Sequence, residues 1–184
     1  VSQPVILVSG GLSIVLSRTA DRFCHEVVLT TDEARVVLAS LEGTDDQAWP
    51  ASPPLQELHL QPSDKGANAM LVGRAGRSHW SASIELDRSQ EAVSFDVACR
   101  ASGPIERLGS GYRSLVGPPV ATAADERRTF LLPELQMDVL EGEAHVSKEG
   151  ETHVLSIVPV WTTSSASQTV RWRYRIRRTG SGAR

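Results

Sequence analysis

The sequence predicts an all-β protein: a two-sheet antiparallel β-sandwich of about twelve strands with little or no helix, in a single domain over residues 1–184. Three observations carry this expectation. Apolar and polar residues alternate along most of the chain with the two-residue period of half-buried strands. Gly, Pro, Asp and Ser interrupt those stretches at short intervals, as turns require. No window sustains a 3.6-residue apolar period. With 184 residues, 40% of them hydrophobic and 22% charged, the chain has enough apolar material for one core, which excludes disordered and collagen-like classes.

Residues 5–8 read as a short strand before Gly10-Gly11, followed by strands at 12–17 and 22–30. Residues 31–41 open with Asp32 and Glu33, which suit a helical first turn, but the β-branched Val36 and Val37 favour a strand over 35–41. Residues 42–54 (EGTDDQAWPASPP) hold three prolines and read as an irregular loop around Trp49. Strands follow at 55–61 and 68–74.

The clearest element is the hairpin HWSASIELD-RSQE-AVSFDVACR. With a turn at Ser89-Gln90, Leu86 faces Val93, Ile84 faces Phe95, Ala82 faces Val97 and Trp80 faces Cys99. Every pair is apolar, and a one-residue slip would destroy the match. Residues 101–128 form a second long irregular segment, and 130–132 a strand ending at Pro133. In VSKEGETHV a turn at Glu149-Gly150 pairs Lys148 with Glu151, Ala144 with Leu155 and Gly142 with Ile157. A four-residue loop at 164–167 then sets Trp172, Tyr174 and Ile176 beside Pro159, Ile157 and Leu155, giving three consecutive strands one shared apolar face.

The formal charge of −3 is a cancellation. Residues 171–184 hold six Arg and no acid, so the other residues carry −9. Cys24 and Cys99 make no metal-binding or disulfide framework. They favour a reducing, cytoplasmic setting, with a secreted sandwich carrying one disulfide as the alternative, and leave localisation open. No basic-then-apolar leader is visible, so no signal peptide is expected in these residues. No apolar run approaches the ~20 residues of a membrane-spanning helix, and no membrane partner is expected.

The polar face of the Trp80 hairpin supplies the first candidate site: His79, Glu85, Asp96 and Arg100. Geometry argues against a Ser-His-Asp triad, because Asp96 faces Ser83 while His79 lies about 13 Å along the strand from Ser83 at ~3.3 Å per residue. No GxSxG elbow occurs. Glu85 and Asp96 are diagonal neighbours about 7 Å apart. That separation is compatible with a glycosidase carboxylate pair, but a solvated strand face is the favoured reading. Trp49 and Tyr112, the latter in the short run GSGYR, are loop aromatics able to contact a ligand, although Trp49 also suits a cap over the core.

The second candidate is the row Arg171, Arg173, Arg175 and Arg177, which period-two spacing puts on one face. It suits an anion. The favoured reading is an edge strand whose arginine stems cover Val158 and Val160 and whose heads reach Glu141 and Glu143. The aromatics between the arginines point the other way, which argues against nucleic acid. His25 shares a face with Phe23, Val27 and Leu29 and reads as a hydrogen-bonded core residue. His145 and His153 fall on opposite faces, and no metal or cofactor motif is present.

In outline the layout resembles sugar-binding and mutarotase-like sandwiches, but no motif of those families is present to carry residue roles over. The sequence therefore points first to a non-catalytic binding module for a carbohydrate or similar polar ligand. A glycoside-acting enzyme using Glu85 and Asp96 is the second reading, and an interaction protein using an exposed sheet edge the third. Oligomeric state is left open.

Overall fold

A computed structural model describes residues 3–32, 35–64, 66–115, 118–122, 125–163 and 167–179. It is all-β, with two antiparallel sheets packed face to face and fifteen strands where about twelve were expected. The first eight are β1 (Val5–Ser9), β2 (Leu12–Thr19), β3 (Arg22–Thr30), β4 (Arg35–Ser40), β5 (Glu57–Ser63), β6 (Gly66–Ala75), β7 (Ser78–Asp87) and β8 (Ala92–Ala101). Then come β9 (Ser110–Ser114), β10 (Val120–Thr122), β11 (Asp125–Leu132), β12 (Leu135–Glu141), β13 (Glu143–Glu149), β14 (Thr152–Val158) and β15 (Gln168–Arg178). One sheet has the order β1-β2-β3-β4-β9-β14-β13, the other β10-β11-β12-β15-β8-β7-β6-β5.

The β7–β8 hairpin has the expected register throughout, from His79 opposite Arg100 to Leu86 opposite Val93. Its loop runs over residues 88–91, and Asp87 ties it by accepting from the Ser89 amide at 2.9 Å and the Ser89 hydroxyl at 2.6 Å. Residues 35–40 form a strand, as the β-branched pair favoured.

Three expectations need correction. The β13–β14 hairpin pairs Glu149 with Thr152 and Val146 with Leu155, two residues away from the Lys148–Glu151 register. Gly150, at φ 62°, takes the first position of the two-residue loop rather than the second. A slip of two leaves the side chains on the same faces, so burial does not oppose it.

The second correction is the partner of β14. It pairs with β9, while β15 pairs with β12 and β8, so β14 and β15 lie in opposite sheets. The expected three-strand face does not form. The loop at 164–167 on which it depended lies mostly outside the described residues. The strand preceding the turn is also divided. Gly142, at φ 111°, separates β12 in one sheet from β13 in the other, a conformation that favours glycine.

The third correction concerns residues 101–128. They contain β9, β10 and the start of β11 rather than one long loop. β9 sits between β4 and β14 in the middle of its sheet. Residues 42–54 do remain irregular, and they cover one end of the sandwich. Ser52 donates to the Gly111 carbonyl and accepts from the Gly111 amide at 3.0 Å, and Phe23 donates to the Leu55 carbonyl at 2.6 Å.

The inner faces of both sheets share one apolar cluster. Its largest fully buried members include Trp172, Tyr112, Tyr174 and Phe130. Cys24 and Cys99 are unbridged; they stand on different sheets, and burial pushes the Cys99 thiol up to about 12.

Candidate functional site

The outward face of the eight-stranded sheet can be followed row by row from its register. One row runs Arg74–His79–Arg100–Thr169 across β6, β7, β8 and β15. The next runs Val72–Ser81–Ala98–Arg171. These two rows apart from Arg171, with Gln56 and Glu57 at the β5 end, line a groove of about 590 Å³. Strands lie ~4.8 Å apart, so Arg74, His79 and Arg100 span about 10 Å. Trp80 turns inward between His79 and Ser81, and its buried indole packs edge-on against Trp49 at 5.9 Å on the core side of β7. The groove exists because Arg74, His79 and Arg100 leave the sheet as long exposed side chains at one end, beside the short Ser81 and Ala98.

His79 and Arg100 thus stand together in a concavity. Glu85 and Asp96 share their face but lie beyond the groove, where Glu85 is opposite Asn68 on one side and Ser94 on the other. Asp96 is held by Arg171, which donates from Nε at 2.6 Å and from Nη2, while Arg173 Nε lies 3.8 Å away. The hydrogen bonds from Arg171 hold the Asp96 carboxyl below the usual carboxylate range.

The arginine row is placed differently from the expected edge strand. β15 is an interior strand, and its neighbours are β8 and β12. The acids beside it are Asp96, Asp138 and Glu141, not Glu143, and the valines of the expected register stand in or beyond β14 of the other sheet. Arg177 pairs with Asp138 at 3.2 Å, Arg175 donates to Gln90, and Arg178 reaches Glu91 at 3.4 Å. No carboxylate ion-pairs with Arg74, His79 or Arg100 among the described residues. One face therefore carries two sets of bases, one bonded to neighbouring side chains and one without carboxylate partners beside a groove.

Tyr112 is not on a loop. It is a fully buried residue of β9, because alternation along Ser110–Ser114 turns it into the core. Its hydroxyl is 2.7 Å from His25 Nε2 and 2.6 Å from the Tyr174 hydroxyl. Ser110 bonds the Tyr174 hydroxyl and accepts from Trp172 Nε1 at 2.9 Å. This chain crosses between the sheets, and Phe95 stacks on Tyr174 at 4.6 Å beside it. Burial pulls the His25 imidazole down to about 4 and raises both tyrosines. His25 is accordingly the hydrogen-bonded core residue its neighbours implied. Trp49 is half-buried over the core end, and His59 is exposed on β5, 3.9 Å from Glu57. Among the described residues no three His, Cys, Asp or Glu side chains are placed to hold a metal ion.

The sequence reading missed Arg74 and Gln56. The available signal was Gly76-Arg77, a two-residue turn with Gly76 at φ 56° that sets Arg74 opposite His79. Compared with protein-family profiles, with curated proteins and with solved structures, the chain matches none of them.

Proposed function

We propose that this protein is a non-catalytic binding module for a polar ligand carrying an anionic group, an acidic saccharide being the best fit. The supporting observation is the Arg74–His79–Arg100 row beside the groove, whose bases lack carboxylate partners while other arginines of the same face have them. Unpaired guanidinium groups offer forked donors to a carboxylate or sulfate. Val72 offers apolar surface to a sugar ring, and Ser81 and Gln56 offer hydrogen bonds to hydroxyls. The held carboxylate of Asp96 lies outside the groove, which favours binding over glycoside cleavage.

The test is calorimetric titration with galacturonate and glucuronate oligomers beside their neutral counterparts. Saturable binding of the acidic series is expected, with affinity falling as salt rises. Arg74→Ala with Arg100→Ala should weaken it at least tenfold without changing the melting transition, since both side chains are exposed. Equal binding of neutral oligomers, an unaffected double variant, or no binding in the series would each refute the reading.

A further inference from the structure

The two sheets end in four edge strands, β5 and β10 on one and β1 and β13 on the other. An open edge offers unpaired N–H and C=O groups to another strand, and proline, charge, brevity or a bulge blunts it. Three of the four are blunted. β5 carries Pro62, β13 carries Glu143, Lys148 and Glu149, and β10 is three residues long with a register shift against β11. β1, Val-Ile-Leu-Val-Ser, has none of these devices, and among the described residues no strand pairs with its outer side.

The turn fixes which backbone groups of β1 are open. Gly10 and Gly11 alone join β1 to β2, with Gly10 at φ 60°. In a two-residue hairpin the closing pair, here Ser9 and Leu12, exchanges both backbone hydrogen bonds, and bonded and non-bonded pairs alternate from there. The ladder runs without a shift to Val5 opposite Leu16. Val5, Leu7 and Ser9 therefore bond to β2, while the N–H and C=O groups of Ile6 and Val8 point away from the sheet. The side chains of the same two residues stand on the outer face, 56% and 53% exposed, while Leu7 and Ser9 turn into the core.

We propose that β1 is a self-association edge, through which two copies of this chain pair antiparallel and join their seven-stranded sheets into one. With the two-fold axis at Leu7, Ile6 of each copy lies opposite Val8 of the other. Both are bonded-type pairs, so every outward N–H of β1 meets an outward C=O, and each exposed isoleucine packs on an exposed valine. Pro4, which has no N–H, falls opposite the Gly10 turn, beyond the last bond. β1 holds no charge to repel its image. The flank is about 17 Å long, five residues at ~3.4 Å, and roughly 20 Å deep for two sheets ~10 Å apart with their side chains, or about 300 Å² a copy. A standard stable interface covers ~800 Å² on each partner, so the pair is reversible and forms at high concentration.

The experiment is sedimentation equilibrium of the parent chain up to about 1 mM, the range of weak, transient contacts. A monomer–dimer equilibrium is expected. Ile6→Lys with Val8→Lys should raise the dissociation constant at least tenfold, because the register sets lysine against lysine, and should leave the melting transition unchanged, because both side chains are exposed. Ile6→Glu with Val8→Glu should do the same. An equimolar mixture of the two variants should recover the dimer, since each lysine then faces a glutamate. Arg74→Ala with Arg100→Ala, on the outward face of the other sheet, should dimerise as the parent does. The proposal is overturned if the parent stays monomeric at about 1 mM, if the lysine variant dimerises as the parent does, or if the mixture of lysine and glutamate variants remains monomeric.

Discussion

His25 is an imidazole whose only resolved perturbation is burial. Its pKa falls from 6.5 to about 4 on folding, so the unfolded chain takes up its proton first. The stability it contributes is complete above pH ~6.5 and is lost as pH falls through 6.5 towards 4, by about 3 kcal/mol in total. Asp21 and Asp96 are depressed and lose stability in the same direction, but below their ordinary value of 3.8. Glu42 is raised and works in the opposite sense just above 4.5. Urea melts of parent and His25→Gln between pH 7 and 4.5 isolate the imidazole: the parent's stability should drop more steeply, and parallel curves would show that His25 is not the group responsible. By contrast, Asp96→Asn should cost at most about 1 kcal/mol by the same melts, because both partners of its ion pair are substantially exposed.

Strands whose information is local were legible in the sequence. The β7–β8 register follows from four apolar pairs within about twenty residues, and a slip would expose all of them. β9 was not legible, because Ser-Gly-Tyr-Arg-Ser has weak strand propensity and forms only between two strands distant in sequence, β4 and β14. The placement of Tyr112 failed with it. The candidate site was half visible: period two put His79 and Arg100 on one face, but whether that face is hollow depends on how β5 and β6 pair beside β7, which the strand patterns at 55–61 and 68–74 did not settle. Gly142 marks another non-local choice, the point where one run of residues leaves its sheet for the other. A Cβ there would sit 2.7 Å from the Val158 carbonyl oxygen at a φ of 111°. Gly142→Ala should therefore destabilise by about 1–3 kcal/mol, measured as a lower denaturation midpoint. An unchanged midpoint would mean the corner accommodates a side chain.

At the scale of the molecule, the cancellation within the net charge of −3 becomes a map: the basic last strand is embedded between acids of β8 and β12. Its removal is a severe test. Truncation after Gln168 takes Trp172, Tyr174 and Ile176 from the core, about 5–9 kcal/mol of burial at ~1.5–3 each, comparable with the whole net stability of a domain. Such a chain should show no cooperative melt; a cooperative one would make β15 dispensable. The free edges differ as well. β5 carries Pro62 and β13 carries Lys148 and glutamates, whereas β1 has neither charge nor proline and exposes Ile6 and Val8. Ile6→Lys with Val8→Lys should slow the growth of light scattering on storage, and an unchanged rate would clear that edge.

The interior position of β15 also sets the order of events during synthesis. β8 finishes at Ala101 and must wait for β15, roughly seventy residues later. At ~5–20 residues per second that is about 4–14 s on the ribosome. Throughout that interval the strand carrying Val93, Phe95 and Val97 has one side unpaired, and β12 is in the same position for a shorter time. The two halves of the eight-stranded sheet are joined only once β15 has emerged. A nascent chain stalled before Gln168 would leave the facing edges of β8 and β12 bare.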